Sequence, residues 1–222
     1  MQLADLVAPE STVVLTQECQ KGVIGDLSLL PALAESAKTI GLVENVNRLV
    51  TTGRAAGCGV LHCIAATRDD RRGASTNAPL FQGTRSKGDD ASSDSGPSGP
   101  GPMTPGGPGT QLMDGIEAAD SDLFSTRIGG LSPVNGTDVP TLLRNLGAKT
   151  VVIAGVSTNV AIPNATLDCV NFGFNVVIAR DAITGYPVDY TDVIIKNTLA
   201  LVAKITTTDE LTSIWSDGSG RS

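Results

Sequence analysis

Apolar and polar positions along this chain follow two alternating patterns. Short, β-branched apolar runs predict buried strands, and between them lie longer segments whose apolar residues recur at helical spacing. The runs that predict strands cover residues 12–16, 58–65, 120–125, 150–154, 174–179 and 205–206. Strands that alternate with helices of this length indicate an α/β protein, with a three-layer, doubly wound, mostly parallel and Rossmann-like sheet of about six strands.

The predicted helices have recognisable starts and ends. The first helical segment covers residues 27–50 and contains Pro31, which marks either its start or a break between two helices. A further helix follows the cap formed by residues 136–137, and another follows the turn at Gly155. The last predicted helix covers residues 190–203.

Length and composition indicate a single domain over residues 1–222. This length is sufficient for one well-buried α/β core and short for two. The segment 83–109 stands apart, because its Gly, Pro and Ser residues have little apolar surface to bury. We predict a flexible surface insertion there, since strands of one sheet are predicted on both sides of it. A lid that folds over a substrate is the alternative.

The charge balance limits the classes of partner. A net charge of −7 and an isoelectric point near 4.6 argue against nucleic acid and anionic membranes as partners. Aromatic residues make up only 3% of the chain, which argues against base-stacking surfaces. No apolar run could cross a bilayer, and the first residues lack the basic and apolar regions of a leader peptide. These features predict a cytoplasmic protein without a membrane or nucleic-acid partner.

Residues that could bind a metal are few and scattered. The four cysteines lie in or beside apolar segments without CxxC spacing: Cys19, Cys58, Cys63 and Cys169. The single histidine, His62, lies inside an apolar run. A zinc site needs several such ligands that converge. We therefore expect free, buried, reduced thiols, no metal site and no cofactor.

Candidate catalytic residues follow the ends of the predicted strands. Glu18 comes after the first strand, Arg127 after the third and Asp181 after the fifth. After the fourth strand, Gly155 ends the apolar run and the turn 157–161 can present backbone N–H groups at the start of a helix. Because the carboxyl ends of parallel strands meet at one edge of a sheet, we expect these groups to lie close together.

Several segments, in the expected order, resemble the isochorismatase-like cysteine hydrolases. Residues 155–161, Gly-Val-Ser-Thr-Asn-Val-Ala, resemble the family's nucleophile turn, which usually has the form Gly-Val-x-Thr-Asn-x-Cys. Residues 131–138 resemble its Ser-Ala-Phe-x-Gly-Thr-x-Leu block, and residues 15–20 resemble its apolar run ending in Asp-Met-Gln. Residues 175–182 resemble its fifth-strand segment ending in Asp-Ala. The resemblance covers most of the chain outside the insertion and the tail, and it implies the isochorismatase-like hydrolase fold.

The resemblance also implies that all three catalytic positions of the family hold other residues here. Glu18 replaces an Asp and is one methylene longer, while Arg127 stands at or next to the position of a Lys and keeps its charge. Ala161 replaces the nucleophilic Cys. Covalent amide hydrolysis requires a thiolate, so nicotinamidase or carbamoyl-hydrolase chemistry should be lost. Isochorismatases of the same fold also lack the Cys, and they cleave a vinyl ether by protonating it with the carboxyl group after strand one.

The resemblance leads to a main hypothesis and an alternative. The main hypothesis is a hydrolase that acts on a small molecule without a Cys nucleophile, with Glu18 as general acid/base and Arg127 binding an anionic substrate. The alternative is a catalytically inactive member that binds a small molecule or serves as a structural oligomer protein. A pocket that keeps both side chains favours hydrolysis or binding, whereas a filled pocket favours the structural role. Relatives are commonly homo-oligomers, so we expect one here.

The residues after the fourth strand have two interpretations. Ser157, Thr158 and Asn159 are candidates for substrate binding, but they are also good N-cap residues, and capping alone would explain them. Glu18 and Arg127 could likewise form an ordinary ion pair. By resemblance, the peptide bond between residues 156 and 157 is expected to be cis.

Overall fold

A computed structural model describes residues 2–81 and 101–218. Within these residues six strands form one sheet: β1 (Thr12–Gln17), β2 (Gly59–Ala65), β3 (Leu123–Arg127), β4 (Thr150–Val156), β5 (Asn175–Thr184) and β6 (Lys204–Thr206). The spatial order is β3-β2-β1-β4-β5-β6, and every neighbouring pair is parallel. This order confirms the predicted doubly wound α/β sheet, and it places the reversal of strand order between β1 and β4.

Helices cover both faces of the sheet. Their bounds are α1 (Leu3–Leu6), α2 (Lys21–Ile24), α3 (Pro31–Thr39), α4 (Leu42–Ala56), α5 (Val139–Asn145), α6 (Ala161–Asn171), α7 (Val188–Asn197) and α8 (Thr208–Gly218). Helices α3, α4 and α8 pack on one face, and α5, α6 and α7 pack on the other. Among the helices described, none is long and apolar enough to cross a bilayer.

The core is divided into two layers by the sheet. In β1, Val13 and Leu15 pack towards α5 and α6, whereas Val14 packs towards α4. Every residue of β1 and β4 is buried, which is the pattern of central parallel strands that have helices on both faces. These two strands therefore hold the residues that follow them in a fixed position.

Two predictions about the elements were wrong. Strand β5 extends to Thr184, because after a register shift its last residues pair with the end of β4. The helix predicted over 190–203 ends at Asn197, and it is not the last one, since α8 follows β6. Trp215 in α8 is fully buried and donates its ring N–H to the carbonyl of Val7 at 3.0 Å.

The predicted insertion 83–109 lies mostly outside the described residues. Its predicted flexibility and the alternative of a lid therefore stay predictions. Its final part, 101–109, packs against the domain. The backbone N–H of Thr67 donates to the carbonyl of Met103 at 2.8 Å, and the Gln20 amide donates to the carbonyl of Gly109 at 2.8 Å. These bonds attach the segment to the loops after β1 and β2.

Candidate active site

A cavity of about 470 Å³ lies at the carboxyl ends of the central strands, where the strand order reverses. Glu18 follows β1, Arg127 ends β3, and Ala161 begins α6 after β4. All three line this cavity. The structure therefore brings together the three positions that the resemblance matched to the family's catalytic residues.

A larger cavity, of about 770 Å³, lies between α3 and α4. Its ionisable side chains include Glu35 and Lys38, which are exposed on the helix surface rather than held at strand ends. We assign the candidate site to the smaller cavity, because ligands of doubly wound sheets bind at the carboxyl ends of the strands.

The backbone at the end of β1 is unusual. Glu18 has a φ of +51°, in the left-handed region that non-glycine residues seldom adopt, and its N–H donates to the carbonyl of Cys63 at 2.9 Å. Beside it in β4, Gly155 has a φ of +116°, and a side chain there would collide with the carbonyl of Gln17. The glycine allows β4 to approach β1 closely at the site, while the left-handed turn ends the extended strand at Glu18.

Glu18 and Arg127 form an ion pair in this cavity. Nη2 of Arg127 donates to Oε1 of Glu18, and Nη1 donates to the carbonyl of Gly130 at 2.7 Å. The two side chains are only 13% and 16% exposed. Nε of Arg127 is buried and has no hydrogen-bond partner among the described residues. Arg127 thus places a cation directly beside the Glu18 carboxyl group in this cavity.

The carboxyl group of Glu18 is harder to ionise than an ordinary glutamate. Burial raises its pKa, and this effect outweighs the charge and hydrogen bond of Arg127 and a smaller contribution from Gln17, which lower it. A carboxyl group with a raised pKa can hold a proton closer to neutral pH and give it to a substrate.

The turn between β4 and α6 contributes two of its three predicted binding residues to the cavity. Ser157 and Asn159 line it, and the Asn159 amide brackets Tyr186, donating to its carbonyl at 2.7 Å and accepting from its N–H at 2.9 Å. Thr158 is instead fully buried, and its hydroxyl lies 2.9 Å from that of Thr191. The capping interpretation was wrong, because no side chain caps the start of α6. The peptide bond between residues 156 and 157 is cis, as the resemblance implied.

The walls of the cavity were not predicted from the sequence. They are mainly apolar and come from α3 and from loops: Leu30, Pro31, Leu33, Leu80, Phe81, Leu131, Val160 and Tyr186. A second chamber of about 180 Å³ shares Glu18 and Arg127 with the first, and Arg71 also lines it. The acid and the cation therefore stand between two spaces, of which the larger suits an apolar group.

No cysteine thiol is prepared for nucleophilic attack. All four are free and buried. Burial raises the pKa of Cys19, Cys58 and Cys169 to about 12, and it also raises the pKa of Cys63. Since a thiolate is the reactive form, these thiols should be inert at neutral pH.

Other candidate groups from the sequence do not join the site. Asp181 lies within β5, and its carboxylate accepts from the backbone N–H of Thr208 at 2.8 Å, at the start of α8. It stabilises that helix start rather than the cavity. Within residues 2–81 and 101–218, no three His, Cys, Asp or Glu side chains converge in a way that could hold a metal ion.

Comparisons with known proteins agree with this fold. A family model described as the isochorismatase domain matches residues 12–210. YecD of Escherichia coli O157:H7, an uncharacterized isochorismatase family protein, is 30% identical over 76 residues, which are 34% of this chain and 40% of YecD. The match thus spans less than half of that relative.

Solved structures match along nearly the whole chain. A cysteine hydrolase from Pseudomonas syringae pv. phaseolicola 1448A superposes with a TM-score of 0.75 at 18% identity, covering 96% of each chain. An isochorismatase family protein from Desulfovibrio vulgaris subsp. vulgaris str. Hildenborough superposes with a TM-score of 0.73 at 20% identity, covering 93% of this chain and 98% of the other. The fold is common to all three proteins, and the domain match covers most of this sequence. The chain therefore belongs to the isochorismatase family.

Proposed function

We propose that this protein is a hydrolase that cleaves a small molecule without a cysteine nucleophile, using Glu18 as general acid and base. Arg127 binds an anionic group of the substrate. The observation that carries the proposal is a buried carboxyl group with a raised pKa, paired with one arginine in an open cavity where Ala161 replaces the family's thiol.

The proposed reaction begins with proton transfer. Protonated Glu18 gives its proton to the substrate as the bond to the leaving group breaks, and water adds its hydroxyl group to the resulting electron-poor carbon. The Glu18 carboxylate accepts the proton released by that water, which restores the acid and completes hydrolysis. Such a reaction needs no covalent intermediate, so the absence of a thiol at position 161 does not prevent it.

Arg127 and the start of α6 favour a negatively charged group. The Arg127 guanidinium is a cation that can only donate hydrogen bonds. Ala161 lies at the N-terminus of an 11-residue helix, where the aligned peptide dipoles place partial positive charge. The apolar walls would hold the body of the substrate, while these groups fix its anionic end.

The experiment is a screen of the purified chain against small anionic enol ethers, esters and amides, with products detected by mass spectrometry. Glu18→Gln should reduce turnover by about 10²-fold or more, because an amide cannot donate a comparable proton. Glu35→Gln is the matched control, since it removes an exposed carboxylate that lies in the other cavity. The control should keep full activity.

Two results would contradict the proposal. Activity that survives Glu18→Gln and is lost on thiol alkylation of the folded protein would assign the reaction to a cysteine. Binding of small anions without turnover of any compound would favour the catalytically inactive alternative. The open cavity that keeps Glu18 and Arg127 supports hydrolysis or binding over a purely structural role.

We also propose a homo-oligomer. Several apolar side chains on the outer surface formed by α6, α7 and the segment after it are exposed: Leu167, Val170, Val193 and Leu201. Apolar groups that are close together on a surface favour association with a partner. Light scattering after size exclusion should give a mass of at least two chains, and a monomer at micromolar concentration would refute this. Cytoplasmic localisation stays a prediction.

A further inference from the structure

Gln17 is a buried polar residue at a position where the strand pattern calls for an apolar one. Val13 and Leu15 pack into the core towards α5 and α6, and alternation along β1 sends Gln17 to the same side. Its side chain is 0% exposed. Neither its amide nitrogen nor its amide oxygen makes a hydrogen bond of normal geometry with a described residue.

Such an amide is costly where it lies. A buried donor or acceptor without a good partner destabilises a protein by about 1–3 kcal/mol, and native structures contain few of them. A leucine of similar size would avoid this cost. The polar group at position 17 therefore requires an explanation that the packing of the core does not supply.

A second buried glutamine shows what a structural role looks like. The Gln20 amide donates to the carbonyls of Ala65 and Gly109 at 2.9 and 2.8 Å, and it accepts from the N–H of Ala65 at 2.8 Å. Every part of this amide is paired with backbone, and it joins three segments. Gln17 has no comparable set of partners.

The neighbour that gives Gln17 a role is Glu18. The left-handed turn at Glu18 breaks the alternation that would send the two side chains to opposite faces. Burial, which raises the pKa of Glu18, is the largest influence on it, and Arg127 and then Gln17 act in the opposite direction by favouring the ionised form. The buried Gln17 amide directly precedes Glu18 in the chain and acts on its carboxyl group, although no hydrogen bond joins the two side chains in this structure.

We propose that Gln17 is the positioning residue for Glu18 in both of its protonation states. The amide N–H donates to the carboxylate, and the amide oxygen accepts from the O–H of the protonated acid. This inference rests on the proposed function, in which Glu18 gives up a proton and takes one back.

Arg127 cannot fill this role alone. A guanidinium donates hydrogen bonds but accepts none. It can therefore hold the carboxylate, but it offers no acceptor to the O–H of the protonated acid. A carboxamide carries both a donor and an acceptor, and it can therefore keep the same carboxyl group in place before and after proton transfer. When an anionic substrate takes Arg127, Gln17 is the partner that remains.

The test is Gln17→Leu, with Gln20→Leu as the matched control. The carboxyl group of Glu18 is followed by ¹³C NMR across pH, and its signal is assigned by its absence in Glu18→Gln. Loss of the donor should lower the acid dissociation constant of Glu18 by about threefold or more in Gln17→Leu. Stability in urea should be unchanged or higher, because an unpaired amide has been removed.

The control should behave in the opposite way. Gln20→Leu should lower the urea midpoint clearly and leave the dissociation constant of Glu18 unchanged, since the Gln20 amide bonds only to backbone groups and, at 4.0 Å, to the Met103 sulfur.

Once a substrate is known, Gln17→Leu should lower kcat about tenfold with little change in KM, and Gln17→Asn should recover part of the lost kcat. If Gln17→Leu does not fold, Gln17→Met is used in its place.

The outcomes separate this inference from the proposed function. An unchanged Glu18 dissociation constant in Gln17→Leu or Gln17→Met would overturn it, and so would a loss of stability like that of Gln20→Leu with no effect on Glu18. A changed dissociation constant in a protein whose activity survives Glu18→Gln would refute the proposed function while the partnership of the two side chains stands.

Discussion

Two acid–arginine pairs of this protein have similar components and opposite character. In the closed pair, just before β3, Arg54 donates to both carboxylate oxygens of Asp122 at 2.9 and 2.6 Å, and the N–H of Ala119 donates to the same carboxylate at 2.9 Å. In the open pair, at the cavity, the Glu18 carboxylate accepts a hydrogen bond from Arg127 alone among the described residues. The side chain of Asp122 is 1% exposed and that of Glu18 is 13% exposed.

The pKa shifts of the two acids differ in sign. Burial would raise the pKa of Asp122, but the hydrogen bonds from Arg54 and Ala119 hold it below its ordinary value. For Glu18 burial is the larger influence, and its pKa is raised. Asp122 also accepts from more donors than Glu18 does, and each donor stabilises the charged form. A buried carboxylate with all its donors is structural, whereas one that lacks donors next to a cavity is available for chemistry.

The largest expected difference is in stability. Asp122→Asn should lower the free energy of unfolding by about 3 kcal/mol, because it leaves the Arg54 charge partly buried without its partner. Glu18→Gln should cost less than about 1 kcal/mol, since Arg127 lines a cavity in which water can replace its lost partner. Urea denaturation of the two variants measures both values. Equal losses would show that the open pair is as structural as the closed one.

A new thiol in the cavity would sharpen the contrast between open and closed sites. Ala161→Cys places a thiol at the N-terminus of α6, in the cavity lined by Arg127, and both features lower a thiol pKa. It should react with a disulfide reagent about 10²-fold faster than the native thiols. The matched control is Ala165→Cys, one turn further along α6 at a position with 0% exposure, which should react slowly. Equal reactivity of the two variants would mean that position 161 is not accessible.

His62 lies 3.4 Å from the Asp122 carboxylate of the closed pair, and we expect it to cause a loss of stability in mild acid. Burial lowers the pKa of His62 despite the nearby Asp122, so this side chain is neutral in the folded protein. As pH falls below about 6.5, the unfolded chain takes up the proton first, and stability falls by up to about 1.4 kcal/mol per pH unit.

The chain has one histidine, so its contribution can be isolated. Urea denaturation between pH 7 and pH 5.5 should show a smaller decline in His62→Gln than in the unchanged protein. The same decline in both would show that His62 is not responsible.

The sequence was sufficient for elements whose pattern is local. The strands β1 and β4 are mainly apolar and buried throughout, which is what central strands of a parallel sheet require. Strand β5 was predicted too short because Arg180 and Asp181 are polar, and only its pairing with β4 shows that the strand continues. For α8 a signal existed: Leu211, Ile214 and Trp215 have helical spacing, and the first and last of these are fully buried.

The candidate site was predicted only where it directly follows strands. Glu18, Arg127 and Ala161 could be placed because strand ends converge and the motifs resemble a family. The apolar walls could not be predicted from the sequence, because loops such as the one that contains Tyr186 reach the cavity only through tertiary packing. Gln17 was missed because it follows directly after the predicted strand 12–16, and its significance depends on which partners it lacks.

The smallest expected effect is a difference in the free energy of unfolding between variants of two hydroxyl groups in the turn between β4 and α6. Thr158 is closed, since its hydroxyl pairs with that of Thr191 at 2.9 Å in a buried position, whereas the Ser157 side chain lines the cavity and is only partly buried. Thr158→Val should therefore lower the free energy of unfolding by about 1 kcal/mol, because it leaves the Thr191 hydroxyl without its partner. Ser157→Ala should change it by less than about 0.5 kcal/mol. Urea denaturation of both variants tests this, and a larger loss for Ser157→Ala would mean that the turn is held together from its cavity side.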